Sequence, residues 1–260
     1  MNPTDTRLGL LPAPEGLAKD ARAWIAPLLG AASGGVRALY LYGSALSPGF
    51  DPAVSDVNLL LVVDTLDFRR LDALARAGRD LPVAKPGTTQ HTPIVLTESQ
   101  IVGGADVFPI DTLDLIERRA LLEGTDVLAT LAVERGNLRH QCEYELRSKL
   151  IGLRQGFLRA GGADGVAHEL TARAQGGSAA LYRHLLSLAG KPRPDDASAG
   201  SVALAQAVGA AFGIAPEALA APFAARKDSA PDEKTARARF AAYLDALEAL
   251  TRKVDEDAAR

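Results

Sequence analysis

The residues best suited to chemistry lie close together in the chain. Gly43 and Ser44 follow the apolar run "VRALYLY" (36–42), eleven residues separate Ser44 from Asp56, and Asn58 stands two positions further on. Ser55 immediately precedes the aspartate. A glycine at the end of a strand lets the backbone turn and approach a ligand closely. A serine hydroxyl and the amides after it can hold phosphate oxygens. Side chains at i and i+2 of a strand share one face, so Asp56 and Asn58 are expected to project together. Two carboxylates at such positions would hold Mg²⁺ ions against a nucleoside triphosphate, the arrangement of two-metal phosphoryl or nucleotidyl transfer.

Asn58 departs from that arrangement. An amide is neutral and offers one oxygen to a metal. Removing a carboxylate beside a dication removes several kcal/mol of gross attraction at an effective dielectric of about 20, part of which hydration returns. Asparagine still serves as a metal ligand in the kinase catalytic loop. The pattern therefore favours one firmly held metal over two.

The surrounding pattern predicts the elements that must position these residues. Residues 16–29 read as a helix with Leu17, Ala21, Trp24 and Leu28 on one face, ended or bent by Pro27. Residues 36–42 read as a strand. "DVNLLLVVD" (56–64) reads as a second strand, apolar enough to be buried on both faces and therefore central. Residues 66–78 read as a helix with Leu71, Leu74 and Ala75 inward and Gly78 as its stop. "TPIVLT" (92–97) reads as a third strand, with Pro93 near an edge or at the strand's own start, and "DVFPID" (106–111) as a fourth. From Asn137 onward the pattern is helical. Leu138, Cys142, Leu146, Leu150, Leu153 and Phe157 recur at three- and four-residue spacing. Residues 164–190 read as a helix breakable at Gly176–Gly177, 191–200 as a loop, and 231–257 as a final helix with Phe240, Leu244, Leu247 and Val254 inward. The expected fold is an α/β (α+β) domain over 1–130 with a short mixed sheet, then an all-α helical bundle domain over 131–260.

The stretch "YGSALSPGFDPAVSDVNLLLVV" resembles the motif of the DNA polymerase β-like nucleotidyltransferase superfamily. That motif is Gly-Ser or Gly-Gly, roughly ten residues, then Asp, an apolar residue and a second Asp or Glu. The resemblance spans about residues 17–125, is sharpest over 40–63, and departs from the motif at Asn58. The segment "DLIERRALLEGTDVL" (114–128) looks like the helix that closes such domains. A helical C-terminal domain is similar to the companion domain of aminoglycoside nucleotidyltransferases, where it supplies part of the acceptor site. The resemblance implies that Gly43, Ser44 and Ser55 bind the triphosphate, Asp56 and Asn58 hold Mg²⁺, and a third carboxylate on a later strand acts as ligand or base. If the strand 92–97 carries that position, its residues His91, Thr92 and Pro93 offer no acid. If 106–111 carries it, Asp111 takes the role, with Asp114 as a second candidate.

Two functions follow. One is an enzyme that moves a nucleoside monophosphate from a nucleoside triphosphate to a hydroxyl acceptor, small or macromolecular, with Mg²⁺. The other is a catalytically impaired nucleotide-binding pseudoenzyme or a regulatory, partner-binding module. A net charge of −3 and a pI near 5.9 supply no global basic field, which argues against nucleic acid as partner. No apolar run approaches ~20 residues, so no membrane span is expected, and no leader pattern opens the chain. A cytoplasmic protein is expected, with a homodimer as an open option. Cys142, the single cysteine, reads as a buried small hydrophobe. Glu143 and Glu145, candidate bases on the helical half, have i,i+4 partners in Arg147 and Lys149, so surface ion pairing explains them. Arg135 and His140 match an Arg-x4-His nuclease spacing that arginine abundance also explains.

Overall fold

The computed structural model describes residues 10–32, 34–46, 57–79, 93–194 and 196–256. Two compact units make up the chain, Met1–Val133 and Glu134–Arg260.

In the first unit, unbroken apolar runs build the middle of a sheet. Strand β1 (Val36–Tyr42) pairs antiparallel with β2 (Asn58–Val63) on one side and with β4 (Arg119–Gly124) on the other. β2 pairs parallel with the edge strand β3 (Ile94–Thr97), giving the order β3-β2-β1-β4. This is a short mixed sheet. β2 is interior, and Leu59 to Val63 are all buried, as an apolar run without alternation requires. One face carries Leu39, Leu41, Leu59, Leu61, Val63, Ala120 and Leu122. It packs against Ala21, Trp24, Ile25 and Leu28 of α1 (Glu15–Ala32) and Leu74 of α2 (Phe68–Gly78). The opposite face carries Ala38, Tyr40, Leu60 and Val62, with Ile101 of α3 (Glu98–Gly104) and Leu128 against them. Leu115 of α4 (Pro109–Glu117) joins this second layer.

Four expectations are corrected here. Residues 106–111 are not a strand: Pro109 occupies the first turn of α4, where a missing N–H costs nothing because that donor has no helical acceptor. Residues 114–128 are not one helix: α4 stops at Glu117 and "RALLEG" becomes edge strand β4. Its helix-forming residues yield to pairing with β1. On α2, Leu71 is 48% exposed and Ala75 is also exposed, so Leu74 alone is buried there. Pro27 does not end α1, which continues to Ala32.

A buried ion pair holds β4 in place. Arg119 is 1% exposed and donates to both carboxylate oxygens of Asp126, at 3.1 Å from Nε and 2.7 Å from Nη2. Its Nη1 donates to the Ile116 carbonyl at the end of α4. The Tyr40 hydroxyl donates to the same carboxylate at 2.9 Å, and so does the Leu128 amide at 3.3 Å. Burial pushes the Asp126 carboxyl up, but the bonds from Arg119 and Tyr40 outweigh it and hold the carboxyl below its ordinary range.

The second unit consists of helices. The 25-residue α5 (Arg135–Arg159) buries Leu138, Cys142, Leu146, Leu150 and Leu153. It packs on α6 (Val166–Arg173), α7 (Ser178–Leu188) and α10 (Glu233–Glu256). The chain breaks between α6 and α7 around Gly177 (φ 71°). Lys149 fastens that break, its amine donating to the carbonyls of Ala174 (2.9 Å) and Gly176 (2.8 Å). α8 (Asp196–Phe212) starts earlier than expected and kinks at Gly200, and α9 (Pro216–Lys227) packs on it. Phe157 stacks on Phe240 at 5.3 Å. Among the described residues no helix is long and apolar enough to cross a membrane.

Trp24, the only tryptophan, is buried in the first unit and reports its unfolding. Asp126→Ala is expected to destabilise that unit by about 3 kcal/mol in denaturant titrations, because it strands the buried guanidinium. The Asp126 carboxyl is held low in the folded state. Its contribution is therefore present above about pH 4 and disappears as the pH falls through the folded value. The wild type should lose stability more steeply than the variant below about pH 4, and parallel profiles would contradict the assignment.

Candidate nucleotide site at the end of the sheet

The turn after β1 is set by backbone geometry. Gly43 has φ 77°, a left-handed conformation that glycine adopts without strain. Its N–H donates to the Arg118 carbonyl at 3.0 Å, which ties the turn to the junction of α4 and β4. The chain then forms a 3₁₀ turn, Gly43–Leu46, anchored by Ala45, which is 1% exposed. A β-carbon at Gly43 would stand 3.4 Å from Nδ2 of Asn58. The backbone of the turn and the Asn58 amide are therefore immediate neighbours.

The register explains why. Tyr42, the last residue of β1, faces Asn58 on β2 and Arg119 on β4. Residues opposite each other in an antiparallel pair share a face. Asn58, Tyr42 and Arg119 thus lie at one end of the sheet, on the face that α3 and α4 cover. Asp111 belongs to the same region. It is exposed in the first turn of α4, and its charge reaches the half-buried Tyr42 phenol. Burial first, then the negative charge of Asp111, raises that phenol above the ordinary tyrosine range.

The structure brings Gly43 and Asn58 together beside Tyr42, and the charge of Asp111 reaches the same phenol. Asp111 is there on a helix and not at the end of a strand, a correction that changes its element and not its neighbourhood. Ser44 lies in the 3₁₀ turn. Ser55, Asp56, His91 and Thr92 are outside the described residues. Among the described residues no group of three or more His, Cys, Asp or Glu could hold a metal. The donors that the site does present are an amide and a carboxylate, oxygen ligands of the kind Mg²⁺ takes. Sequence reasoning overlooked Tyr42 and the Arg118 carbonyl. The position of Tyr42 directly before Gly43 was the available signal. The carbonyl had none, because its bond depends on tertiary pairing.

Several other candidates settle into structural roles. Glu143 is bonded by Arg139 (2.9 Å) and Arg147 (2.7 Å). Burial works to raise its carboxyl, and the two guanidinium groups override that and lower it. Arg70 and Arg76 pair with Asp64 and Asp72. Arg135 donates to the Leu188 carbonyl. Cys142 is fully buried, and burial, with the nearby charge of Glu145, pushes its thiol up to about 12.

The mixed sheet with its Gly-Ser turn, together with a separate helical unit, matches a nucleotidyltransferase-like architecture. Among solved structures the chain is similar to spectinomycin adenyltransferase AAD(9) from Enterococcus faecialis, determined with ATP and spectinomycin. The likeness covers 93% of this chain and 99% of that one, with a TM-score of 0.52 and 13% sequence identity, and at that identity it concerns the fold. No protein-family model matches the chain, and no curated protein matches it by sequence.

Asp111→Asn removes a negative charge that reaches the Tyr42 phenol. The Tyr42 resonance, followed by NMR with labelled tyrosine, should then titrate at lower pH than in the wild type. An unchanged titration would put the carboxylate out of reach of the site.

Proposed function

We propose that this chain is a nucleotidyltransferase: it moves a nucleoside monophosphate from a nucleoside triphosphate to a hydroxyl acceptor. The observation that carries the reading is the Gly43 turn set against Asn58, with the charge of Asp111 reaching Tyr42, at one sheet end of a nucleotidyltransferase-like fold. Support for ATP as donor comes from AAD(9), which was solved with ATP and spectinomycin.

In this reading the amides of the Gly43–Leu46 turn and the Ser44 hydroxyl bind phosphate oxygens. Glycine is favoured at position 43 because its φ of 77° would strain any other residue there. The motif resemblance pairs Asp56 with Asn58 as metal ligand. Asp56 and the Asn58 amide oxygen are the residues that would hold Mg²⁺, which when bound supplies charge neutralisation to the triphosphate. Asp111 accepts the proton of the acceptor hydroxyl. The hydroxyl oxygen bonds to the α-phosphorus, the bond from that phosphorus to the β-phosphate bridging oxygen breaks, and pyrophosphate leaves with that electron pair. Placement in the first turn of α4 suits the carboxylate, since the helix N-terminus favours negative charge.

One observation favours a second reading. Asn58 is neutral where the resemblance leads one to expect a carboxylate, so a chain that binds nucleotide without turning it over also accounts for the site. The two readings separate in an assay of pyrophosphate release from ATP with a panel of hydroxyl acceptors, spectinomycin included. An enzyme should lose roughly 10²-fold or more of its rate in Asp111→Asn while still binding ATP, the scale of a lost general base. ATP binding with no release under any acceptor would assign the chain to the second reading.

A further inference from the structure

The helical unit contains a cavity of about 350 Å³ that plays no part in the site above. Its volume lies in the range of small-molecule pockets, ~300–1,000 Å³. Arg139 enters it from α5, and Lys253 and Val254 from the last turns of α10. The C-terminal ends of α7 and α8 complete the wall with Leu188, Ala189 and Phe212. The lining thus combines two cations with apolar side chains, and no carboxylate is among its described residues.

Neighbouring groups leave those cations with donor capacity. Glu143 accepts from Arg139 at 2.9 Å but also from Arg147 at 2.7 Å, so one carboxylate serves two guanidinium groups. Lys253 is half exposed, and the Glu256 carboxylate stands 3.8 Å from its amine, beyond hydrogen-bond length. Two helix C-terminal ends could in principle have satisfied these donors, since they carry free carbonyls and a partial negative charge. Both ends are already partly capped. Gly190 (φ 61°) and Gly213 (φ 67°) turn the chain back. Lys191 N–H then donates to Leu186 O and Ile214 N–H to Gly209 O, both at 2.9 Å. Arg135 takes the Leu188 carbonyl at 2.6 Å.

We propose that this cavity binds a small organic anion with an apolar body, a carboxylate or sulfonate borne on a ring or a short hydrocarbon chain. Arg139 and Lys253 hold the anionic head, and Leu188, Ala189, Phe212 and Val254 cover the body. The same lining rejects a polycation. The proposal does not depend on the nucleotidyltransferase reading.

The test is a fluorescence titration of the full chain with anilinonaphthalene sulfonate, with circular dichroism confirming the fold of each variant. Saturable binding of one probe per chain is expected. Arg139→Gln and Lys253→Gln should each weaken it about tenfold, the scale of a lost hydrogen bond to a charged group. Arg139→Gln leaves Glu143 bonded to Arg147, so no carboxylate is stranded. Ala211→Trp, which fills the cavity from the α8 wall, should abolish binding. Octanoate should displace the probe and octanol should not. Affinity unchanged by all three substitutions, or displacement by octanol as effective as by octanoate, would overturn the proposal.

Discussion

The candidate site rests on a guanidinium buried beneath it. Arg119 is almost fully enclosed, and a charge in that position is tolerable only if paired and hydrogen-bonded. Asp126, bonded also by Tyr40 and the Leu128 amide, meets that requirement. The pair does little for net stability compared with an apolar replacement, because desolvation opposes it. Its consequence is positional. Arg119 starts β4 opposite Tyr42, and the preceding carbonyl, that of Arg118, accepts the Gly43 N–H. Misplacing β4 would release the turn. The far end of the same strand is pinned by Gly124 (φ 85°), where any β-carbon would collide with the Arg37 carbonyl. Both ends of the edge strand are therefore specified by contacts that admit a single register.

That rigidity bears on the chemistry. Asn58 lies against the turn that would cradle phosphate, and Asp111 approaches from a different layer. An amide at position 58 spares a triphosphate one repulsive charge and weakens any second metal. A neutral residue there therefore suits nucleotide binding with one metal, with Asp111, the proposed proton acceptor, on a separate helix. A working single-metal enzyme and a nucleotide sensor share this arrangement. They differ in whether the acceptor is activated.

Much of this was legible in the residues. The unbroken run 59–63 announced a strand buried on both faces, and Pro93 announced the edge position of β3. Cys142 and Glu143 took the roles that their spacing suggested. What escaped shares one cause. "RALLEG" has helical preferences, yet pairing with β1 decides its state. "DVFPID" holds a short apolar run that reads as a strand, yet its proline opens α4. The Arg119–Asp126 pair carries no local signature, because each partner becomes meaningful only when the other is buried beside it. Local patterning specified the interior strands, and long-range pairing specified the edge strand on which the site depends.

The measurement that bears most directly on the account is calorimetric titration of ATP, CTP, GTP and UTP with and without Mg²⁺, on the wild type, Asp56→Ala and Asn58→Asp. The account predicts binding of at least one triphosphate that requires Mg²⁺, disappears in Asp56→Ala and strengthens in Asn58→Asp. Absence of triphosphate binding in the wild type, or binding indifferent to Asp56, would contradict it and leave the fold without the site.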